Sequence, residues 1–188
     1  PGPLFKFEPA DTILRGNWGF AAWHVGVWST LIKIGLAIPV AAFAESFNHQ
    51  PIQQPDGSWL WTYTVTISGI DHTAKLYGTS VTNGIEWRML FTKVGFYTDF
   101  EWFTGFSNVP ATEGTWTLNQ DPQEPNPFLF IEWSRNVEEK TAEVKYTNIV
   151  PDAPANGSYI HYGKTNDVTH NRFFNIFGIE ENRLINVG

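Results

Sequence analysis

Along Ser58–Ser68 the side chains alternate: Trp59, Trp61, Tyr63, Val65 and Ile67 fall on one parity, and Leu60, Thr62, Thr64 and Thr66 on the other. A period of two is the mark of a strand with one buried face. His72–Val81 and Ile85–Lys93 continue the habit, and Thr82-Asn83-Gly84 between them predicts a hairpin, because Asn-Gly tolerates positive φ at the turn. In the second arm Ile85, Trp87, Met89 and Phe91 oppose Glu86, Arg88, Leu90 and Thr92. Tyr97–Phe106 sets Phe100, Trp102, Thr104 and Phe106 against Asp99, Glu101 and Phe103. Shorter strands are predicted at Gly114–Leu118, Phe128–Ser134, Thr141–Ile149, Ser158–Gly163, Arg172–Gly178 and Arg183–Val187.

One stretch breaks the alternation. Trp23–Phe47 crowds Val25, Val27, Leu31, Ile32, Ile34, Leu36, Ile38, Val40 and Phe43 around Gly26, Gly35 and Pro39. Wound at helical pitch it is apolar over most of its circumference, which predicts a buried helix broken near Pro39. A transmembrane span needs about 20 apolar residues, but a central Lys33 is costly in lipid, so no membrane span is favoured. The segment is expected to cover the sheet structure. Pro1–Thr12, with three prolines and Leu4, Phe5 and Phe7 alternating with Lys6 and Glu8, is expected to be an extended arm.

About ten strands joined mostly by short turns predict an antiparallel meander, closing as an up-and-down β-barrel with one accessory helix near the N-terminus. The 188 residues suit one domain over 1–188, with arm 1–12 and barrel-covering helix 23–47. Composition adds an unusual core: 9 Trp and 15 Phe against a single Met. Those rings make the inner face a candidate container. No Cys is present, so a disulfide framework, a thiolate nucleophile and a Cys-ligated metal are excluded. A net charge of −7, with no run of Lys and Arg, argues against a nucleic-acid partner. The Pro1-Gly2-Pro3 start suits a processed N-terminus, and Val187-Gly188 falls in mid-strand.

Gly16-Asn17-Trp18 and Thr98-Asp99-Phe100 resemble the two short signatures of the lipocalins, Gly-x-Trp on a first strand and Thr-Asp-Tyr near a later turn. The resemblance covers six residues and implies a calycin-like barrel that binds an apolar small molecule. Three departures stand against it: Phe100 replaces the Tyr, more than eight strands are expected, and Val25–Phe47 lies where a lipocalin has its first strand and lid. The aromatic-rich, cysteine-free chain also resembles uncharacterised exported proteins of Gram-negative bacteria, which implies a periplasmic, outer-membrane-associated or secreted location.

Candidate chemistry is thin. Asp99 and Glu101 share a strand face with carboxylates about 6–7 Å apart, a spacing that suits a glycosidase acid and base but equally the wet side of a half-buried strand. Glu132 interrupts Phe-Leu-Phe-Ile-x-Trp and shares parity with Phe128 and Phe130. A carboxylate on such a face either needs a partner or marks a strand end near the rim. His161, between Ile160 and Tyr162, is placed to hydrogen-bond a polar ligand or to be a satisfied structural histidine. The five histidines show no metal-ligand spacing, and no nucleophile elbow or phosphate loop occurs. No catalytic residue, metal or cofactor is expected. The tryptophans admit three readings: core filling, a pocket wall, or a stacking surface for sugars. The pocket is built from Trp59, Trp61, Trp87, Phe91 and Trp102, with Glu132 and His161 as its polar groups, and its ligand is small and apolar or lipid-like. The alternatives are a glycan-directed hydrolase or binding module, and an interaction protein with a solid core.

Overall fold

The computed structural model describes residues 26, 42–67, 69–179 and 182–187. Alternation wins along the whole of this length. Eleven antiparallel strands follow one another: β1 Ile52–Gln53, β2 Trp59–Ile67, β3 Ile70–Val81, β4 Gly84–Lys93, β5 Tyr97–Asn108, β6 Glu113–Asn119, β7 Pro127–Asn136, β8 Thr141–Asn148, β9 Tyr159–Lys164, β10 Arg172–Gly178 and β11 Arg183–Val187. Each pairs with its sequence neighbour, so the spatial order is the chain order. The meander is as expected, with β1 added from the Asn48–Gly57 connection.

Closure is not. Among the described residues β1 and β11 are the two ends of the sheet, with no pair joining them, so the described strands form one open sheet. A barrel needs a closing pair along matched edges. Here β1 offers two residues, Ile52 and Gln53, and spends them on Leu60 and Trp59 of β2.

The sheet has an inner face defined by burial. Tyr63, Ala74, Leu76, Met89, Phe91, Phe103, Leu118, Leu129, Ile131, Tyr146, Ile160 and Ile176 form one continuous buried cluster. The register places them side by side, as in Tyr63↔Ala74↔Phe91 and Leu118↔Leu129. Glycines make room for the indoles between them. Trp87 stands directly across from Gly78 on β3 and from Gly105 on β5, and a methyl group on either glycine would press into an indole ring, that of Trp87 or Trp116.

Two faces differ from the parity that simple alternation predicts. In β5 the register shifts between Met89 and Leu90, where Met89 opposes Phe103 and Leu90 opposes Glu101. Trp102 is the extra residue of this bulge, and beyond it Phe103 and Ser107 are buried while Thr104 and Phe106 face out. In β7 the buried residues are Leu129 and Ile131, not Phe128 and Phe130. Both parities of that strand are apolar, so the pattern alone could not choose between them.

The hairpin at Thr82-Asn83 lies where expected, but neither residue has positive φ, and Gly84 is the first residue of β4. Its missing side chain is needed for packing, since a Cβ there would overlap the Phe106 ring and the Ser107 carbonyl.

Of the helix expected over 23–47, Gly26 and residues 42–46 are helical, and the rest, with the arm 1–12 and Gly16-Asn17-Trp18, lies outside the described residues. The 42–46 turn lies on the inner face. Ala42 is fully buried and its carbonyl accepts a hydrogen bond from the Tyr63 hydroxyl. The Phe43 ring meets Trp87, Phe103 and Trp116 edge-on at 5.3, 6.4 and 5.4 Å between centroids. Such edge contacts each add about 0.5–1.5 kcal/mol beyond area burial. No helix among the described residues is long and apolar enough to cross a membrane.

Candidate functional site

The seven residues singled out from the sequence fall into two groups on opposite faces. Trp59, Trp61, Trp87, Phe91 and Trp102 belong to the inner side; Glu132 and His161 belong to the outer. They do not build one pocket with a polar anchor.

On the inner side β2, β3, β4 and β5 supply the rings. Trp59 opens β2 and is 40% exposed, opposite Gly78. Trp61 and Trp87 approach to 6.0 Å at a tilt. The Trp87 indole N–H donates to Ser107 Oγ at 3.0 Å, which satisfies its polar end within the sheet. Phe91 is fully buried and meets Trp102 edge-on at 4.8 Å. Trp102 is half-buried and also lies 5.8 Å from Phe100.

A second aromatic run continues along the same face. Tyr146, Tyr162 and Phe174 stack at 6.0 and 5.5 Å across β8, β9 and β10. Burial holds the Tyr146 phenol well above its ordinary range, with the neighbouring Tyr162 adding to it. The parity of Ala142, Val144 and Tyr146 was readable in sequence. What was missing was the register that sets Tyr162 beside Val144, one position diagonal to Tyr146.

On the outer face the register generates a straight cross-strand row. Glu86 on β4 faces Phe106 on β5, Phe106 faces Thr115 on β6, Thr115 faces Glu132 on β7, Glu132 faces Lys145 on β8, and Lys145 faces His161 on β9. Lys145 Nζ lies 3.5 Å from Glu132 Oε2 and 4.8 Å over the Tyr159 ring. Glu143 holds both neighbours: Ser134 Oγ donates to its Oε1 at 3.1 Å, and His161 Nε2 lies 3.2 Å from its Oε2. Around these groups the surface sinks into a groove of about 460 Å³. A second groove of about 470 Å³ adjoins it over β3–β6, and Phe106 and Thr115 line both.

The Asp99–Glu101 pair is resolved differently. Lys75 Nζ approaches Asp99 at 2.8 Å and Thr92 Oγ1 also donates to it, which holds the Asp99 carboxyl below its ordinary range. Asp99 has a positive φ of 50° just before the bulge. Glu132 meets β5 through the Thr115–Phe106 row, five residues from Glu101, or about 17 Å at strand rise. Asp99, Glu101 and Glu132 do not converge. Among the described residues no group of three His, Asp or Glu is arranged to hold a metal ion.

No protein-family model matches the chain, and neither a curated protein nor a solved structure matches it. Function rests on these two faces alone.

Proposed function

We propose that the protein binds a small, largely apolar or lipid-like molecule against the inner aromatic face of its sheet. One observation carries this. Rings from β2, β4, β5, β8, β9 and β10 line one side of the sheet. They include Trp61, Trp87 and Trp102 at one end and Tyr146, Tyr162 and Phe174 at the other, and all but Tyr146 are only partly buried. A binding surface of this kind is predominantly apolar, with a few polar groups to orient the ligand. The phenols of Tyr146 and Tyr162 supply such groups.

In this proposal the sheet curls towards a barrel-like trough around its ligand, as an eleven-stranded twisted sheet is inclined to do. The register shifts in β5 and at Leu118/Asn119 sharpen the bend. The helical turn at 42–46, anchored by Phe43 and Tyr63, covers the Trp87 end. An exported location, where such proteins carry apolar cargo, belongs to the same proposal.

The test is titration of the full chain with a fluorescent fatty acid and with anilinonaphthalene sulfonate, read by energy transfer from tryptophan. Saturable binding is expected, weakened about tenfold by Trp102→Ala, the loss of roughly 1.4 kcal/mol of contact. An absence of saturable binding by both probes, with no apolar molecule retained in native mass spectrometry, would overturn it.

A further inference from the structure

The outer groove has a composition that the inner face does not explain. Its wall residues Glu113, Glu132 and Glu143 bring three carboxylates, against one ammonium at Lys145 and an imidazole at His161, with the Ser134 hydroxyl beside them. Glu132 and Glu143 are 48% and 49% exposed at the side chain, so their remaining lone pairs face solvent. The internal contacts orient these groups without exhausting them. Glu143 is held from two sides by Ser134 and His161, and Lys145 is steadied by Glu132 and the Tyr159 ring. The half-buried Phe106 ring also lines the groove, given its place by the absence of a side chain at Gly84.

We propose that this groove is a binding site for a neutral oligosaccharide. Each element of the chemistry narrows the class. Three carboxylates against one Lys repel an anionic chain, and Lys145 beside Glu132 disfavours a polycation. Glu113, Glu132 and Glu143 bring acceptors and Lys145 and Ser134 bring donors, and a sugar hydroxyl is one of the few ligand groups that both gives and accepts a hydrogen bond. The Phe106 ring, with Trp133 in the same wall, offers an apolar platform to the C–H face of a pyranose. Size agrees, since grooves of about 300–1,000 Å³ accept small ligands. The second groove, sharing Phe106 and Thr115 and bringing in Glu86 and Arg88, extends the path across the strands, so the ligand is a linear chain of several sugars rather than one. The site lies on the face opposite the aromatic wall and does not depend on an apolar ligand there.

The experiment is isothermal titration of the full chain with neutral hexose, pentose and N-acetylhexosamine oligosaccharides, beside oligogalacturonate and oligolysine as anionic and cationic controls. At least one neutral series is expected to bind. Glu143→Gln and Glu132→Gln, both at exposed positions, are each expected to weaken it about tenfold, the scale of one charge-assisted hydrogen bond. Trp102→Ala is expected to leave glycan binding unchanged, which separates this site from the inner face. Thermal unfolding confirms that each variant is folded, and amide shift changes at Thr115 and Lys145 locate the ligand. Binding of no neutral series, binding only of either control, or glutamine variants that bind as well as the parent would overturn the proposal.

Discussion

Individual side chains on the inner face are fitted by subtraction as much as by size. Trp116 occupies space that Gly105 leaves empty, and a Cβ at 105 would overlap the Trp116 ring and the Thr115 carbonyl. Gly105→Ala is therefore expected to destabilise the protein by about 1–3 kcal/mol, the cost of overpacking, seen as a lower urea midpoint at unchanged slope. An unchanged midpoint would show that Trp116 has room to move. At this scale the sequence was legible only in part. Trp61, Trp87, Phe91 and Trp102 declared their face by parity, whereas Phe103 and Phe106 did not, because a bulge is a matter of hydrogen-bond register and leaves no mark in a hydrophobic pattern. In sequence Glu132 breaks an otherwise apolar run and shares parity with Phe128 and Phe130. Lys145 directly across from it, and Leu129 and Ile131 buried beneath, make it an ordinary outward residue of β7 in an unusual neighbourhood.

Elements were far more legible than their pairing faces. All ten expected strands are present, most within one or two residues of the predicted ends, because alternation and turn residues are local signals. The helical turn at 42–46 falls in the apolar stretch read as a helix, but its docking site on β2 and β4–β6 was not legible, since that depends on contacts remote in sequence. The Tyr63 hydroxyl bonds the Ala42 carbonyl, His49 stacks on the same Tyr63 ring at 4.9 Å, and Ser46 Oγ bonds the Phe43 carbonyl at 2.6 Å to close the turn. Tyr63→Phe removes one buried hydrogen bond while keeping the ring, so a loss of about 0.5–1.5 kcal/mol is expected. Hydrogen exchange is expected to speed up at residues 42–46 more than in β3 or β4. Equal protection in both places would mean that Phe43 alone holds the turn.

For the whole molecule, the buried phenols set an upper pH limit. Burial raises the folded-state pKa of Tyr63, with Glu45 adding to the effect, and burial raises Tyr97 and Tyr146 as well. Below about pH 10, the ordinary tyrosine value, folded and unfolded chains hold these protons alike and the full stability is present. Above it the unfolded chain ionises first and binds fewer protons, so stability falls as pH rises. Ultraviolet titration is expected to show Tyr63 and Tyr146 ionising only as the protein unfolds. Ionisation of both while the sheet is still folded would contradict their burial. The outer row has a different kind of reach across the molecule. Glu86, Phe106, Thr115, Glu132, Lys145 and His161 come from six strands, and each position is fixed only by the hairpin before it. A slip of one residue at any of those turns would send every later member to the opposite face. The row thus behaves like the pins of a lock, aligned only when five successive turns have each been cut to the correct length.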